Sequence, residues 1–321
     1  MNILFITYTR IGDAVLSTGL LSALIDRHPS AAITVACGPA AAPLFEDVPG
    51  LDSVIAMPKQ RFAGHWRALW RSCVGRRWDI LVDLRHSVMP FVLRAGRRLV
   101  LRVGSDDPRH KVEQLASLLS LAPPPSPRLW IGSEHREAAS ALVPTGSPIL
   151  ALGPCANWPG KQWAADRFSE LAVRLTDGQG PLAGARIAIF GGPEDRAQAA
   201  KVVTALPPDR TLDLVGRGDL LTVAACFEKA CLYIGNDSGL MHMAAAVGTP
   251  TLGLFGPSRD EHYAPWGAAC AAVRTPESYE QLVNVPGYDH RTTGSLMGSL
   301  TVDTVEHAAK ELLGHESVAA L

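Results

Sequence analysis

Tyr233-Ile234-Gly235-Asn236-Asp237-Ser238-Gly239-Leu240-Met241-His242-Met243-Ala244-Ala245-Ala246-Val247-Gly248-Thr249-Pro250 begins as an apolar strand and breaks at a polar turn of small residues. It then continues as a helix from about Ser238. A short, continuously apolar strand is buried on both faces, which calls for a parallel sheet covered by helices. The alternation extends in both directions. Upstream, candidate strands are Ile3–Thr7, Ile33–Cys37, Val54–Met57, Ile80–Leu84 and Leu99–Val103, then Ile149–Gly153, Arg186–Phe190 and Leu212–Val215. Cys231–Ile234, Thr251–Phe255 and Ala271–Arg274 complete the set. Helical patterns lie between them at Ala14–Arg27, Phe62–Arg76, Val112–Leu121, Glu134–Leu142, Ala165–Leu175, Asp195–Leu206, Leu220–Glu228 and Leu240–Val247.

Proline interrupts this rhythm at Pro123 to Pro127 and again from Pro144 to Pro148, so a domain boundary is expected there. The expected division is 1–147, 148–300 and a terminal helix and tail over 301–321, with Thr301 as N-cap and Gly314 as stop. A chain of 321 residues has room for two such α/β domains. Two halves joined by a proline-rich hinge would leave a cleft at the C-terminal edges of their sheets, where open α/β sheets bind ligands.

With 47% apolar and 19% charged residues the chain is not intrinsically disordered, and a net charge of −1 does not suit a general polyanion binder. The charge is unevenly distributed. Residues 1–147 carry +5 and the remainder −6, and Lys59 to Lys111 holds thirteen Lys/Arg against four Asp. Such a half either presents a solvated basic face or attracts an anionic partner. Nucleic acid is disfavoured, because the basic residues are not interleaved with aromatics. The six cysteines form no CxxC and no cluster with His, which argues against a zinc site or a disulfide framework and for reduced thiols in the cytoplasm. The opening residues do not read as a signal peptide, and Leu240 to Phe255 is too broken by His242, Gly248, Pro250 and Gly253 to span a membrane.

Candidate chemistry collects where strands turn into helices. The first strand leads to Arg10-Ile11-Gly12-Asp13, and Asp13 is either an ordinary N-cap or a carboxylate held beside the cleft as a general base, kept ionised by Arg10. At Asp237-Ser238-Gly239 the helix start offers backbone N–H groups and a dipole to an anion, with His242 one turn further on. Singly, Asp237 and Ser238 read as caps and His242 as a core histidine; together they favour a ligand. Lys161, in the loop after Ile149–Gly153, would neutralise a phosphate or simply sit on the surface. Glu194, after Arg186–Phe190, would accept from ribose hydroxyls or merely favour a helix start. There is no GxGxxG after the first strand, no Walker A loop, no HExxH and no Asp-x-Asp. Hydride transfer, P-loop hydrolysis and the usual carboxylate pair for a metal on a diphosphate therefore lose support.

These segments, in this order, resemble the heptosyltransferases of glycosyltransferase family 9. The resemblance rests on Arg10-Ile11-Gly12-Asp13 with Ser17-Thr18, Asp83-Leu84-Arg85-His86-Ser87, Lys161-x-Trp163, Gly191-Gly192-Pro193-Glu194, and Asn236-Asp237-Ser238-Gly239-Leu240-x-His242 followed by Gly248-Thr249-Pro250 and Phe255-Gly256-Pro257. It implies a GT-B fold of two Rossmann-like domains whose C-terminal helix packs back on the N-terminal domain. It also implies metal-independent, inverting transfer of heptose from ADP-L-glycero-D-manno-heptose to the inner core of lipopolysaccharide. Carried over by residue, Asp13 becomes the base, and Lys161, Glu194, Asp237, Ser238, Gly239 and His242 hold the donor. Arg10, Arg85 and His86 meet an anionic lipid or oligosaccharide acceptor. No cofactor and no metal are expected, and a lipid acceptor would suit a soluble enzyme at the cytoplasmic face of the inner membrane. Where the family often places Thr or Ser before the lysine, this chain has Pro154, Cys155, Ala156 and Asn157; Ala164 and Gly19 stand where prolines are common. Another nucleotide sugar, a protein acceptor, or a non-catalytic nucleotide- or anion-binding protein are the alternatives.

Overall fold

The computed structural model describes residues 1–102, 107–144 and 146–319, of which 315–319 by backbone only. It falls into two compact units, Met1–Gly132 and Ser133–Leu321.

The first unit runs β1 (Asn2–Ile6), α1 (Ile11–Arg27), β2 (Ala32–Cys37), β3 (Leu51–Ala56), α2 (Gly64–Cys73), β4 (Trp78–Asp83), α3 (Met89–Val92), β5 (Ala95–Val100) and α4 (Lys111–Ala116). Its five strands are all parallel, in the order β3-β2-β1-β4-β5. The chain thus winds outward from β1 in one direction, then returns to place β4 on the other side of β1. The direction of winding reverses between β1 and β4, and that is where an open α/β sheet leaves a crevice beyond its C-terminal edge. Ile3, Leu4, Phe5 and Ile6 are fully buried, as expected of a central strand covered on both faces. The turn after β1 is pinned by a buried hydroxyl pair, Thr7 Oγ1 to Ser17 Oγ at 2.7 Å. The proline-rich strap passes against α1 at Gly19, where a Cβ would lie 2.4 Å from the Pro125 carbonyl oxygen. There the Thr18 hydroxyl also accepts from the Arg128 N–H at 2.8 Å. Glycine is therefore required at a position where the resemblance led us to expect proline.

The second unit runs α5 (Ser133–Leu142), β6 (Ile149–Gly153), α6 (Ala165–Thr176), β7 (Arg186–Ile189), α7 (Arg196–Ala205), β8 (Thr211–Asp213), α8 (Leu220–Phe227), β9 (Leu232–Asn236), α9 (Gly239–Ala246), β10 (Thr251–Phe255), α10 (Asp260–Tyr263), β11 (Cys270–Arg274), α11 (Tyr279–Val283) and α12 (Val302–Ala319). Six parallel strands lie in the order β11-β10-β9-β6-β7-β8, so the reversal falls between β6 and β9. The core is Leu150, Leu152, Ile187, Ile189, Leu232, Ile234, Leu252 and Leu254 from the strands, packed on Phe168, Leu171 and Leu175 of α6. Val302, Val305, Ala309 and Leu312 of α12 join this same core.

The expected doubly wound α/β class holds for both sheets. Differences from expectation are local. Helix α5, expected in the N-terminal half, groups with the second unit, where Arg136 forms a two-pronged ion pair with Glu228 (both 2.9 Å) and His135 meets the Thr222 hydroxyl at 3.3 Å. Strand β5 lies at Ala95–Val100 rather than Leu99–Val103, of which Val103 is outside the described residues, as are Thr145 in the second proline stretch and the last two residues of the tail. Among the described residues, no helix is long and apolar enough to cross a membrane.

Candidate functional site

In the second unit, the loops that follow β6 and β9 flank the reversal point, and they carry Lys161 and Asp237. Asn236, fully buried at the end of β9, ties the two together. Its Nδ2 donates to the Pro154 carbonyl at 2.7 Å, and its Oδ1 accepts from the Trp163 N–H at 3.1 Å. Gln198 of α7 reinforces the same loop, donating to the Pro154 carbonyl at 3.0 Å and accepting from Gln162 at 2.9 Å. Trp163 anchors the far end of the loop through its indole N–H to the Leu300 carbonyl at 2.8 Å. So held, the Lys161 ammonium donates to the Asp237 carboxylate, and both side chains are largely withdrawn from solvent.

The helix start beside this pair is open chemically. Ser238 occupies the N-cap position of α9 in extended conformation, yet its side chain makes no capping hydrogen bond, which removes the ordinary explanation for a serine there. Its neighbour Tyr233 is fully buried, and burial pushes that phenol above its usual range, with Ser238 acting in the opposite sense. His242 is buried one turn along α9. Glu194 is exposed in the single turn Pro193–Asp195 after β7. Beside it Asp195 has its carboxyl raised by burial, against the Gly192 N–H bond that lowers it, while the Glu194 charge adds to the rise. Of the loop residues that replace the family's hydroxyls, Pro154, Cys155 and Ala156 are buried and Asn157 is exposed; burial pushes the Cys155 thiol up to about 12.

In the first unit the reversal point lies between the loops after β1 and β4. Helix α1 starts at Ile11, three residues before the expected Ala14, so Asp13 is not the cap; it lies half-buried in the first turn, with Arg10 exposed at the cap position. On the other side Asp83, fully buried, organises Asp83-Leu84-Arg85-His86-Ser87 by accepting from the Arg85 N–H at 2.9 Å and from the Ser87 N–H and hydroxyl, each at 2.7 Å. That turn throws His86 into the left-handed region at φ 51° with its ring exposed. It also lays the Arg85 guanidinium over the Trp66 ring, 4.7 Å from the centroid. Burial lowers the Arg85 pKa, with Asp83 opposing the shift.

One residue that no motif marks joins this group. Lys111 opens α4, whose N-terminus is fixed by a reciprocal cap: the Val112 N–H donates to His110 Nδ1 at 3.2 Å, and the His110 N–H donates to Glu113 at 3.0 Å. A lysine there opposes the helix dipole. Its ammonium lies 5.3 Å from the Tyr8 ring centroid; burial lowers its pKa, and the facing charges of Asp13 and Asp107 pull it back up. A half-buried cation kept against local preference, facing Asp13, makes Lys111 a candidate for the site. The structure thus brings Asp13, Arg10, Arg85, His86 and Lys111 to the C-terminal edge of one sheet, and Lys161, Glu194, Asp237, Ser238, Gly239 and His242 to that of the other.

The model of glycosyltransferase family 9 (heptosyltransferase) matches residues 109–285. Lipopolysaccharide heptosyltransferase 2 of Escherichia coli K12 is 28% identical over 323 residues, covering 88% of this chain and 90% of that protein. The solved structure of E. coli ADP-heptose lps heptosyltransferase II superposes with a TM-score of 0.78 at 22% identity, over 99% of this chain and 100% of that one. E. coli heptosyltransferase WaaC with ADP gives 0.72 at 16% identity, over 97% and 100%. The fold is therefore GT-B.

Proposed function

Since this chain belongs to glycosyltransferase family 9 and is a glycosyltransferase, we propose that it moves L-glycero-D-manno-heptose from the ADP-sugar to a hydroxyl of the lipopolysaccharide inner core, with inversion. The observation that carries this reading is the Lys161–Asp237 ion pair at the start of α9, at the reversal point of the second sheet. Similarity over most of the chain to a lipopolysaccharide heptosyltransferase supports the choice of substrate.

In this reading Asp13 accepts the proton of the acceptor hydroxyl as its oxygen attacks the anomeric carbon from the side opposite the diphosphate. The bond to the leaving diphosphate breaks, and ADP departs with the electron pair. Lys161 and the backbone N–H groups at Ser238 and Gly239 meet the growing negative charge, doing the work that a divalent cation does in other transferases. Lys111, whose pKa the Asp13 charge raises, would stand as the cation facing Asp13. Asp237 and His242 would hold heptose hydroxyls, and Glu194 the ribose. Arg10, Arg85 and His86 would receive the anionic acceptor at the cytoplasmic face of the inner membrane.

A second reading, transfer from a different nucleotide sugar, is favoured by the loop before Lys161, where Pro154, Cys155, Ala156 and Asn157 supply no hydroxyl. Calorimetric titration with ADP, GDP and UDP in EDTA, followed by transfer from ADP-heptose to a heptose-free lipid A–Kdo acceptor, separates the two. Selective ADP binding with product formation is expected. Preference for GDP or UDP moves the donor, and nucleotide binding without transfer overturns the proposed reaction.

A further inference from the structure

Eight large apolar side chains stand exposed among the described residues, and six of them fall between positions 62 and 92: Phe62 at 90% exposure, Phe91 at 78%, Val88, Val92, Trp70 and Val74. They are adjacent in the fold. The inner faces of α2 and α3 meet through Leu69 and Cys73 against Met89 and Leu93, leaving Trp70 on the outer face of one helix and Phe91 and Val92 on that of the other. Phe62 sits just ahead of α2, where Phe62 and Ala63 both adopt left-handed backbone, φ 52° and 56°. That conformation costs a side-chain-bearing residue about 1–2 kcal/mol and is not repaid by any burial of the Phe62 ring.

The surroundings are predominantly basic, the exposed Asp52 being taken up by Arg76. Arg61, Arg67, Arg71 and Arg94 are exposed, and none is in an ion pair among the described residues. From Lys59 to Arg98 the only carboxylates are Asp79, which accepts from the Asn2 N–H at 2.7 Å, and the fully buried Asp83. Arg98 donates to the Pro90 carbonyl at 2.5 Å, fixing another cation under α3. Aromatic and aliphatic tips ringed by unpaired arginines match one partner: a surface with an apolar interior and an anionic skin. A protein partner of ordinary composition would present carboxylates to only part of this ring, and nothing here would select it.

We propose that α2, α3 and the loop bearing Phe62 form a docking surface for an anionic lipid bilayer, with Phe62 and Phe91 entering the headgroup region and Arg61, Arg67, Arg71 and Arg94 meeting lipid phosphates. The segments leading into α2 and α3 follow β3 and β4, so the surface rises from the sheet edge that also carries Asp13, Arg85 and His86. It extends the location put forward for the enzyme, but binding to lipid needs neither donor nor acceptor, so it stands or falls separately from the reaction.

The test is co-sedimentation of the full chain with vesicles of phosphatidylcholine alone and with one-third phosphatidylglycerol, at low and high salt. The protein is expected to bind the anionic vesicles and not the neutral ones, and to be released as salt screens the arginines. Phe62→Ser with Phe91→Ser should weaken partitioning at least about tenfold, and Arg67→Glu, Arg71→Glu and Arg94→Glu together about 100-fold or more. All five positions are exposed, so unchanged circular dichroism and Tm are expected and keep loss of binding distinct from loss of fold. Equal binding to neutral vesicles, no binding to anionic ones, or variants that bind like the parent would overturn the proposal. So would a parent protein that dimerises through this face and becomes monomeric in the Phe62→Ser, Phe91→Ser variant.

Discussion

Replacing Lys161 with Met removes the ammonium but keeps most of the stem that packs in the loop after β6. The Lys161 and Asp237 side chains are only 19% and 8% exposed, so the carboxylate is left with no cation in a site water barely reaches. Breaking a buried pair from one side costs about 3–5 kcal/mol. Because Lys161 retains some solvent contact and Met preserves its packing, the expected loss lies at the low end, about 3 kcal/mol. In a unit the size of Ser133–Leu321 this corresponds to a fall in Tm of about 6–12 °C. Urea unfolding and calorimetry of Lys161→Met, Asp237→Asn and the double variant complete the cycle. The double variant has no orphaned charge and should recover about 2 kcal/mol over the sum of the singles. It should not regain transfer, because stability needs the charges balanced whereas the departing diphosphate needs Lys161 itself. If Lys161→Met unfolds within 2 °C of the parent, about the resolution of the assay, or if the two changes simply add, the pair does not hold this loop and the site is wrongly built.

Three further outcomes follow from the geometry. Asp13→Asn should lower kcat by about 10²- to 10⁴-fold while ADP affinity measured by calorimetry stays as in the parent, and parental turnover would remove Asp13 from the role of base. For Lys111, burial depresses the folded-state pKa, so between that value and the unfolded value the unfolded chain binds more protons and stability rises with pH. Lys111→Met should lack that alkaline gain, be no less stable than the parent at neutral pH, and transfer poorly; a parental stability-versus-pH slope would refute the buried cation. Burial pushes the thiols of Cys37, Cys155 and Cys226 to about 12 and that of Cys73 to about 11, whereas Cys231 is exposed. A thiol reagent read by mass spectrometry should therefore label Cys231 first, Cys270 more slowly, and the other four only in denaturant; native labelling of Cys155 would mean that the loop before Lys161 opens.

What could be read from sequence depended on how local the determining physics is. Strands β6 and β10 were legible to the residue, Ile149–Gly153 and Thr251–Phe255, because burial on both faces leaves an unbroken apolar run. Strand β5 was misplaced because it is an edge: Gly96, Arg97 and Arg98 face solvent, and the run Leu99–Val103 looks more like a strand than the residues that form it. Helix α2 is shorter than its pattern because Phe62 and Ala63 leave the right-handed region, a fact no propensity announces. In the site, Lys161, Asp237 and Ser238 were legible because each lies in a strand–turn–helix segment whose chemistry is its own. Lys111 was not, since its meaning comes from Tyr8 and Asp13 nearly a hundred residues away, and Asn236 and Gln198 act only through contacts made across the sheet edge.

Tyr233 lies over the paired residues Gly153 and Gly235, and a Cβ on either would fall 1.9 Å or 2.5 Å from its hydroxyl oxygen. Tyr233 and Gly153 consequently carry one choice rather than two, because the three nearest atoms to a Cβ at Gly153 all belong to the Tyr233 side chain. Gly235 is held independently, since a Cβ there would also lie 2.9 Å from the Gly153 carbonyl oxygen. Among descendants of this sequence Tyr233 and Gly153 should change together or not at all, with Gly235 kept in either case. Recombining the pair piecemeal with the matching segments of a relative would yield folding failures even where each parental fragment is sound.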